Sequence, residues 1–280
     1  MSFGLTVLGS VNLDLLVQVA ELPKAGETVT GGTYSALPGG KGANVAVAAR
    51  RLGAETEIVA AVGDDDYAAQ ALVNLKADGV YLDAVKTVDA HTGLAFITVS
   101  ADGENQIAVA SGANAAFTPE HLPKLCSDVL ITQFEIPIAV IEAALKDYAG
   151  FVAVNASPVT PNVDRILARA DLVIVNQGEA DAYRLSGREG LLAITLGGSG
   201  AELWRDGELV ARAPAPKVNV VDTTGAGDAF AAALTVALAE GQAEQEALEF
   251  ACAAGALTTT RLGTQTASPT RVEVDALLKT

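Results

Sequence analysis

Four apolar runs follow one another through the middle of the chain: Val129–Thr132, Phe151–Val154, Leu172–Val175 and Leu191–Leu196, with helical segments between them. Unbroken apolar runs, unlike alternating ones, belong to parallel strands covered on both faces. Leu5–Leu8 and Glu57–Val62 extend the pattern, with a helix expected at Tyr67–Ala77 and a strand at Tyr81–Val85. The repeat predicts an α/β fold around a mostly parallel sheet. In such a sheet the strand C-termini line up on one edge, where ligands bind. Polar residues stand at those ends: Ser10, Asn12 and Asp14, then Gln133 and Glu135, Asn155 and Ser157, and Asn176, Gln177 and Glu179.

Two stretches break the repeat. Leu15–Leu37 alternates apolar and polar residues around turn signals at Pro23–Gly26, which reads as antiparallel strands. Gly93–Val99 and Asn105–Ala110 flank an Asp102-Gly103 pair, a hairpin signal. Together they predict one small sheet apart from the main one. Its free apolar face needs a cover: the active site, a second subunit, or both. A further hairpin is expected at Ala201–Trp204 and Leu209–Ala211. Ala-rich helices are expected at Gly225–Glu240 and Ala243–Thr260.

Val220–Phe230, V-V-D-T-T-G-A-G-D-A-F, ends an apolar run and opens the first of those helices. Glycines at a helix start leave backbone N–H groups bare, and the helix dipole favours an anion there. Asp228 falls in that first turn, where a carboxylate repels an anion. A second task, accepting the proton of an attacking hydroxyl, accounts for it. A tight turn with a dipole-favouring carboxylate accounts for the same residues taken alone.

Pro38–Asn44, P-G-G-K-G-A-N, is a second glycine-rich turn leading into a helix at Val45–Leu52. It is not a Walker loop, since Ser35 and Gly42 occupy the places of the first Gly and the magnesium-binding hydroxyl. It is not a dinucleotide fingerprint either, since Val45 replaces the third Gly. That counts against a dinucleotide-dependent enzyme. Asn176-Gln177-Gly178-Glu179 fits a helix N-cap, and also a phosphate and metal-water site.

A net charge of −16 opposes nucleic acid or an anionic membrane as a partner. Two separated cysteines, Cys126 and Cys252, and two histidines, His91 and His121, leave no disulfide framework, zinc site or Ser-His-Asp set. The N-terminus has no basic, apolar leader, so a reducing cytoplasmic setting is expected.

With Gly39–Asn44 and Val221–Phe230 in hand, the chain resembles the ribokinase family of sugar kinases over nearly its whole length. The resemblance implies a three-layer α/β/α fold with a mostly parallel central sheet. It implies one domain over 1–280, with a small β-sheet lid from about 13–37 and 91–112. The implied activity is ATP-dependent phosphorylation of a sugar hydroxymethyl group, with the 5-hydroxyl of D-ribose the leading acceptor. Fructose, deoxyribose and adenosine remain alternatives, as does a non-catalytic sugar sensor. By resemblance Asp228 is the base, and Gly225, Ala226 and Gly227 form the anion hole. Asn12, Asp14, Gly40, Lys41, Asn44 and Glu135 hold the sugar. Asn176, Thr195, Gly197 and Gly227 face the nucleotide. Glu179 meets magnesium (Mg2+) through water. Asp222, Thr224, Thr258, Arg261 and Gly263 match a site for a monovalent cation, K+. The lid is the implied homodimer contact. Three departures stand out: a short 186–190 connection that leaves one sheet face less covered, Ala267 where a hydroxyl adjoins the cation, and Cys252 on the adenine side.

Overall fold

The computed structural model describes residues 3–279. The ends of the expected 1–280 domain, Met1, Ser2 and Thr280, lie outside the described residues, as does the start of the stretch read as carrying no leader.

β1 (Gly4–Leu8) sends Leu5 and Val7 into one apolar cluster and Leu8 into another on the opposite face, as a doubly covered strand requires. β2 (Asn12–Gln18) and β3 (Thr33–Gly39) follow, then α1 (Lys41–Arg51), β4 (Glu55–Val62), α2 (Asp66–Ala71), α3 (Val73–Ala77) and β5 (Val85–Thr87). β6 (Gly93–Val99) and β7 (Asn105–Ala110) form a hairpin, and α4 (Ala113–Ala116) brings the chain back. Strand and helix then alternate through β8 (Val129–Thr132), α5 (Ile138–Leu145), β9 (Phe151–Asn155), α6 (Asp164–Arg169), β10 (Leu172–Asn176), α7 (Gln177–Tyr183) and β11 (Leu191–Thr195). β12 (Ala201–Arg205) and β13 (Glu208–Ala213) turn through Asp206 and Gly207 at φ 53° and 82°, the positive values a two-residue hairpin turn needs. α8 (Ala226–Ala239), α9 (Glu244–Thr258) and α10 (Arg271–Leu277) complete the chain.

The larger sheet has the order β13-β12-β11-β10-β9-β8-β1-β4-β5, parallel from β11 to β5 and antiparallel at β12 and β13. Helices α1, α3, α8, α9 and α10 cover one face, and α5 and α6 the other. The chain leaves β1 toward β4 on one side and later resumes at β8 on the other. The strand order therefore reverses at β1 and β8, and the crevice at their C-terminal ends is where a ligand sits in such a sheet. The second sheet, β3-β2-β6-β7, stands apart, with β2 parallel to β6 and the other pairs antiparallel. It joins the main sheet through the short step from Leu8 to Asn12.

The structure differs from the expected boundaries in a few places. Tyr81–Val85 is not a strand: Tyr81 makes a single bridge to Glu57, the chain turns at Leu82–Val85, and pairing resumes at Val85. The helix expected over Tyr67–Ala77 bends at Leu72. α7 stops at Arg184, which takes a left-handed φ of 54°. The short connection after it is closed by Arg188, whose guanidinium donates to the carbonyls of Leu167, Ala170 and Leu191. A cleft of about 260 Å³ lined by Arg184, Leu185, Leu192 and Trp204 remains on that face.

Candidate active site

Two helix N-termini meet at the crevice, and their states differ. At α1, Gly40 turns the chain with φ 89°, and a Cβ there would lie 2.7 Å from the Asn12 nitrogen and 2.9 Å from the Ser10 oxygen. Only glycine fits so close a backbone approach. The first N–H groups of α1 are all used internally. Lys41 N donates to Glu135 Oε2 at 3.0 Å, Gly42 N to Ser10 Oγ at 3.3 Å and Ala43 N to Ser10 O at 2.9 Å. Ser10 Oγ in turn donates to Glu135 Oε2. The carboxylate of Glu135 is thus the anion that this helix start holds.

At α8 the turn is open. Gly225 caps the helix at φ 79°, no side chain caps it, and Ala229 N is the first to enter the ladder, to Gly225 O at 3.0 Å. Ala226 N has a weaker bond to Thr223 O at 3.3 Å. The N–H groups of Gly227 and Asp228 are left for an anion. Gly255 of α9 lets the two Ala-rich helices close up beneath this turn, since a Cβ there would stand 3.3 Å from Ala226 O.

Asp228 is only 5% exposed. Its Oδ2 accepts from Asn44 Nδ2 at 2.9 Å and its Oδ1 from Asn155 Nδ2 at 3.2 Å, with Lys41 Nζ 3.8 Å from Oδ1. Burial pushes the carboxyl up, while Lys41 and the two amides pull it back toward the ionised form. Lys41 is held above its usual range by Asp228 first, against its own burial, and so stays charged. Asp14 packs its carboxyl against the backbone of Gly39. Burial, then the nearby charges of Glu135 and Asp228, raise it to about 7. Three carboxyl groups and one ammonium thus face a common space.

The structure gathers Asp14, Gly40, Lys41, Asn44, Glu135 and Asp228 here, with Asn12 at the root of β2. Thr195 and Gly197 line a separate cleft of about 520 Å³ that reaches Ala226 and Gly227 from the far side, with Val220, Phe230 and Cys252 on its walls. The open turn of α8 therefore lies between two spaces. Asn176 and Glu179 form a reciprocal capping box, Glu179 N to Asn176 Oδ1 at 2.9 Å and Asn176 N to Glu179 Oε2 at 2.8 Å. Asn176 is exposed at the strand edge and Glu179 half-buried beside it. Asp222 Oδ1 accepts from Thr224 N at 2.9 Å and from Thr224 Oγ1 at 2.6 Å, and Asp222 Oδ2 from Gly263 N at 3.2 Å. Thr258 is buried, with its hydroxyl on Ala254 O. Arg261 sends its guanidinium away to Glu273, so only its backbone oxygen is available to this loop. Ala267, where a hydroxyl was expected, is fully buried.

Three residues at the site had no place in the expected set. Asn155 was visible only as a polar strand end. Gln265 Nε2 donates to Asn44 Oδ1 at 3.3 Å, and Asn114 Nδ2 to Asn12 Oδ1 at 2.7 Å. Both reach the site from far along the chain, and no local spacing marks them.

The sequence model of the family described as pfkB family carbohydrate kinase matches residues 3–271. A ribokinase of Bacillus subtilis (strain 168) is 40% identical over 98% of this chain and 99% of that protein. Among solved structures, a ribokinase from Thermotoga maritima superposes with a TM-score of 0.92 at 32% identity, covering 99% of this chain and 100% of that one. An Arabidopsis thaliana ribokinase complexed with ribose and ATP superposes with a TM-score of 0.85 at 32% identity, covering both chains fully at 100%.

Proposed function

The chain belongs to the pfkB family of carbohydrate kinases, and from that premise we propose that it transfers the γ-phosphoryl group of ATP to the 5-hydroxyl of D-ribose. One observation carries the reading: a buried carboxylate, Asp228, beside a helix start whose N–H donors are open, between two spaces. Its relatives' ribokinase names, and the ribose and ATP bound in the Arabidopsis structure, supply the substrate pair.

The sugar lies among Asn12, Asp14, Gly40, Lys41, Asn44 and Glu135. ATP lies along Thr195, Gly197 and Asn176, with its phosphates toward Gly225, Ala226 and Gly227. Asp228 accepts the proton of the attacking hydroxyl, and the ionised form that Lys41, Asn44 and Asn155 favour is the one that can. The α8 donors meet charge that builds up on the transferring group, where burial strengthens them.

Among the described residues no group of three or more His, Cys, Asp or Glu side chains could hold a metal ion. A single half-buried carboxylate at the strand edge, Glu179, nonetheless suits hydrated magnesium carried by nucleotide phosphates, since that ion keeps most of its waters. Magnesium there would neutralise phosphate charge. Asp222 and Thr224, with the carbonyl oxygens of Thr258, Arg261 and Gly263, form an all-oxygen set with one carboxylate, which suits K+. Its bond to Gly263 N already ties Asp222 to the neighbouring turn. The four-stranded sheet acts as a lid, and pairs with a second copy.

ADP release tests the reading, with ATP, magnesium and potassium against ribose, fructose, 2-deoxyribose, adenosine and uridine. Ribose should give the highest kcat/KM. A higher value on any other acceptor would overturn the substrate, and no turnover on any would overturn the kinase reading.

A further inference from the structure

Asn114 occupies the point where three strands of the small sheet join the main body. It follows β7 at the start of α4 and is 2% exposed. Its Oδ1 accepts from Val11 N at 3.0 Å, and its Nδ2 donates to Val11 O at 3.1 Å and to Asn12 Oδ1 at 2.7 Å. A backbone N–H can only donate and a backbone carbonyl can only accept. Val11 therefore fixes which end of the Asn114 carboxamide is oxygen and which is nitrogen. That in turn fixes Asn12, because Asn114 offers it a donor and so engages its oxygen. Asn12 is left with Nδ2 for a ligand, two N–H donors and no acceptor.

The same point leaves no slack. Asn12 pairs with Gly93 across β2 and β6. A Cβ on Gly93 would stand 2.2 Å from Asn12 Oδ1 and 2.3 Å from Asn114 Nδ2. The two amides are packed against a bare backbone, so neither can rotate to exchange its ends.

We propose that Asn114 is a positioning residue for the sugar, which orients Asn12 to present donors, and not its oxygen, to a hydroxyl or ring oxygen of the substrate. The proposal rests on reading Asn12 as a sugar contact. It divides the site by chemistry. Asp14 and Glu135 take hydrogens from the polyol, while Asn12 requires an oxygen that accepts. A sugar lacking an oxygen at that place leaves a buried donor unpaired, and such sites reject the analogue strongly. Because Asn114 stands a short turn after the end of β7 at Ala110, the orientation of Asn12 is also tied to how the small sheet meets the body.

A double-mutant cycle decides it. Ribose affinity by calorimetry and steady-state constants for ribose and ATP are measured for Asn12→Ala, Asn114→Asp and the pair. Aspartate keeps the acceptor for Val11 N and removes the donor to Val11 O and to Asn12. Asn114→Asp should raise the ribose KM about tenfold, leaving kcat and the ATP KM within about twofold. In the Asn12→Ala background the same change should cost nothing. An equal cost in both backgrounds, or a loss confined to kcat, would overturn the inference. Unchanged ribose affinity in Asn12→Ala would instead show that Asn12 does not touch the sugar, and both readings fall together. Should Asn114→Asp not fold, Asn12→Asp keeps a partner for Asn114 Nδ2 but loses its own donors. It should stay folded with a ribose KM raised at least as far. Wild-type affinity in that variant would refute the donor assignment.

Discussion

Asp228 is buried and Asp14 half-buried, and their surroundings give the two carboxyl groups different behaviour. Asp228 is met by two amide donors and an ammonium, so its ionised form is supported despite burial. Replacing it with asparagine keeps the shape and removes the proton acceptor. Asp228→Asn should lower kcat on the order of 10²–10⁴-fold while ribose still binds in calorimetry; near-normal turnover would refute the base. Asp14 lacks such support, and its carboxyl is raised to about 7. A sugar hydroxyl donates more strongly to the ionised form, so ribose affinity should weaken, by up to about tenfold in all, as pH falls below about 7. A flat affinity between pH 5.5 and 8 would show that Asp14 takes no hydrogen from the sugar. The stability sign is the reverse. A raised carboxyl binds more protons folded than unfolded between its ordinary value of 3.8 and about 7, so the free protein loses stability as pH rises through that window. Asp14→Asn should therefore raise Tm at pH 8, by a margin that narrows toward pH 5, while abolishing tight ribose binding.

Helix starts account for most of the chemistry at the next scale. α1 and α8 both open on glycine, but α1 has its donors filled by Glu135 and Ser10, and α8 does not. α7 is a third case, in which Glu179 both closes a capping box and faces the strand edge. Glutamine at that place still accepts from Asn176 N. Glu179→Gln should hold Tm within about 2 °C and lower turnover on the order of 10–100-fold. Glu179→Ala should lose the cap as well, about 1 kcal/mol by urea unfolding. Equal activity in Glu179→Gln and wild type would remove Glu179 from the nucleotide site. What the sequence made legible follows the same division. The parallel strands were readable because doubly buried strands are continuously apolar, and Val129–Thr132 matches to the residue; Gly93–Val99 matches too, through its hairpin signal. The glycine turns were readable because their backbone geometry demands glycine. Tyr81 misled because its bridge to Glu57, with its hydroxyl on Glu55, puts a β-forming residue beside β4 without extending a strand. Asn114, Asn155 and Gln265 were not legible as site residues, because each acts across a fold-generated contact more than 70 residues away.

At the scale of the whole molecule, the small sheet leaves apolar side chains uncovered by a single chain. Register places Asp14, Leu37, Ala95 and Val109 in one row across the small sheet, and Ser35, Leu16, Ile97 and Ile107 in the next row on the same face. Ile107 and Val109 are 58% and 57% exposed. The face that carries Asp14 toward the sugar thus continues outward as an apolar ladder. A four-stranded sheet with only one end of that face over the body holds such residues in water at a cost. A second copy of the same sheet, laid face to face, would bury both ladders and satisfy the self-complementarity of a two-fold contact. Because the Asp14 row adjoins the ladder, the contact would also shield the sugar. Sedimentation should give twice the chain mass of 28.4 kDa. Ile107→Asp should return the single-chain mass and raise the ribose KM about tenfold, with the ATP KM unchanged, since Thr195 and Gly197 lie on the far side of α8. A wild-type chain that sediments as a monomer at assay concentration would overturn the dimer. A monomeric Ile107→Asp variant with an unaltered ribose KM would keep the dimer and separate it from sugar binding.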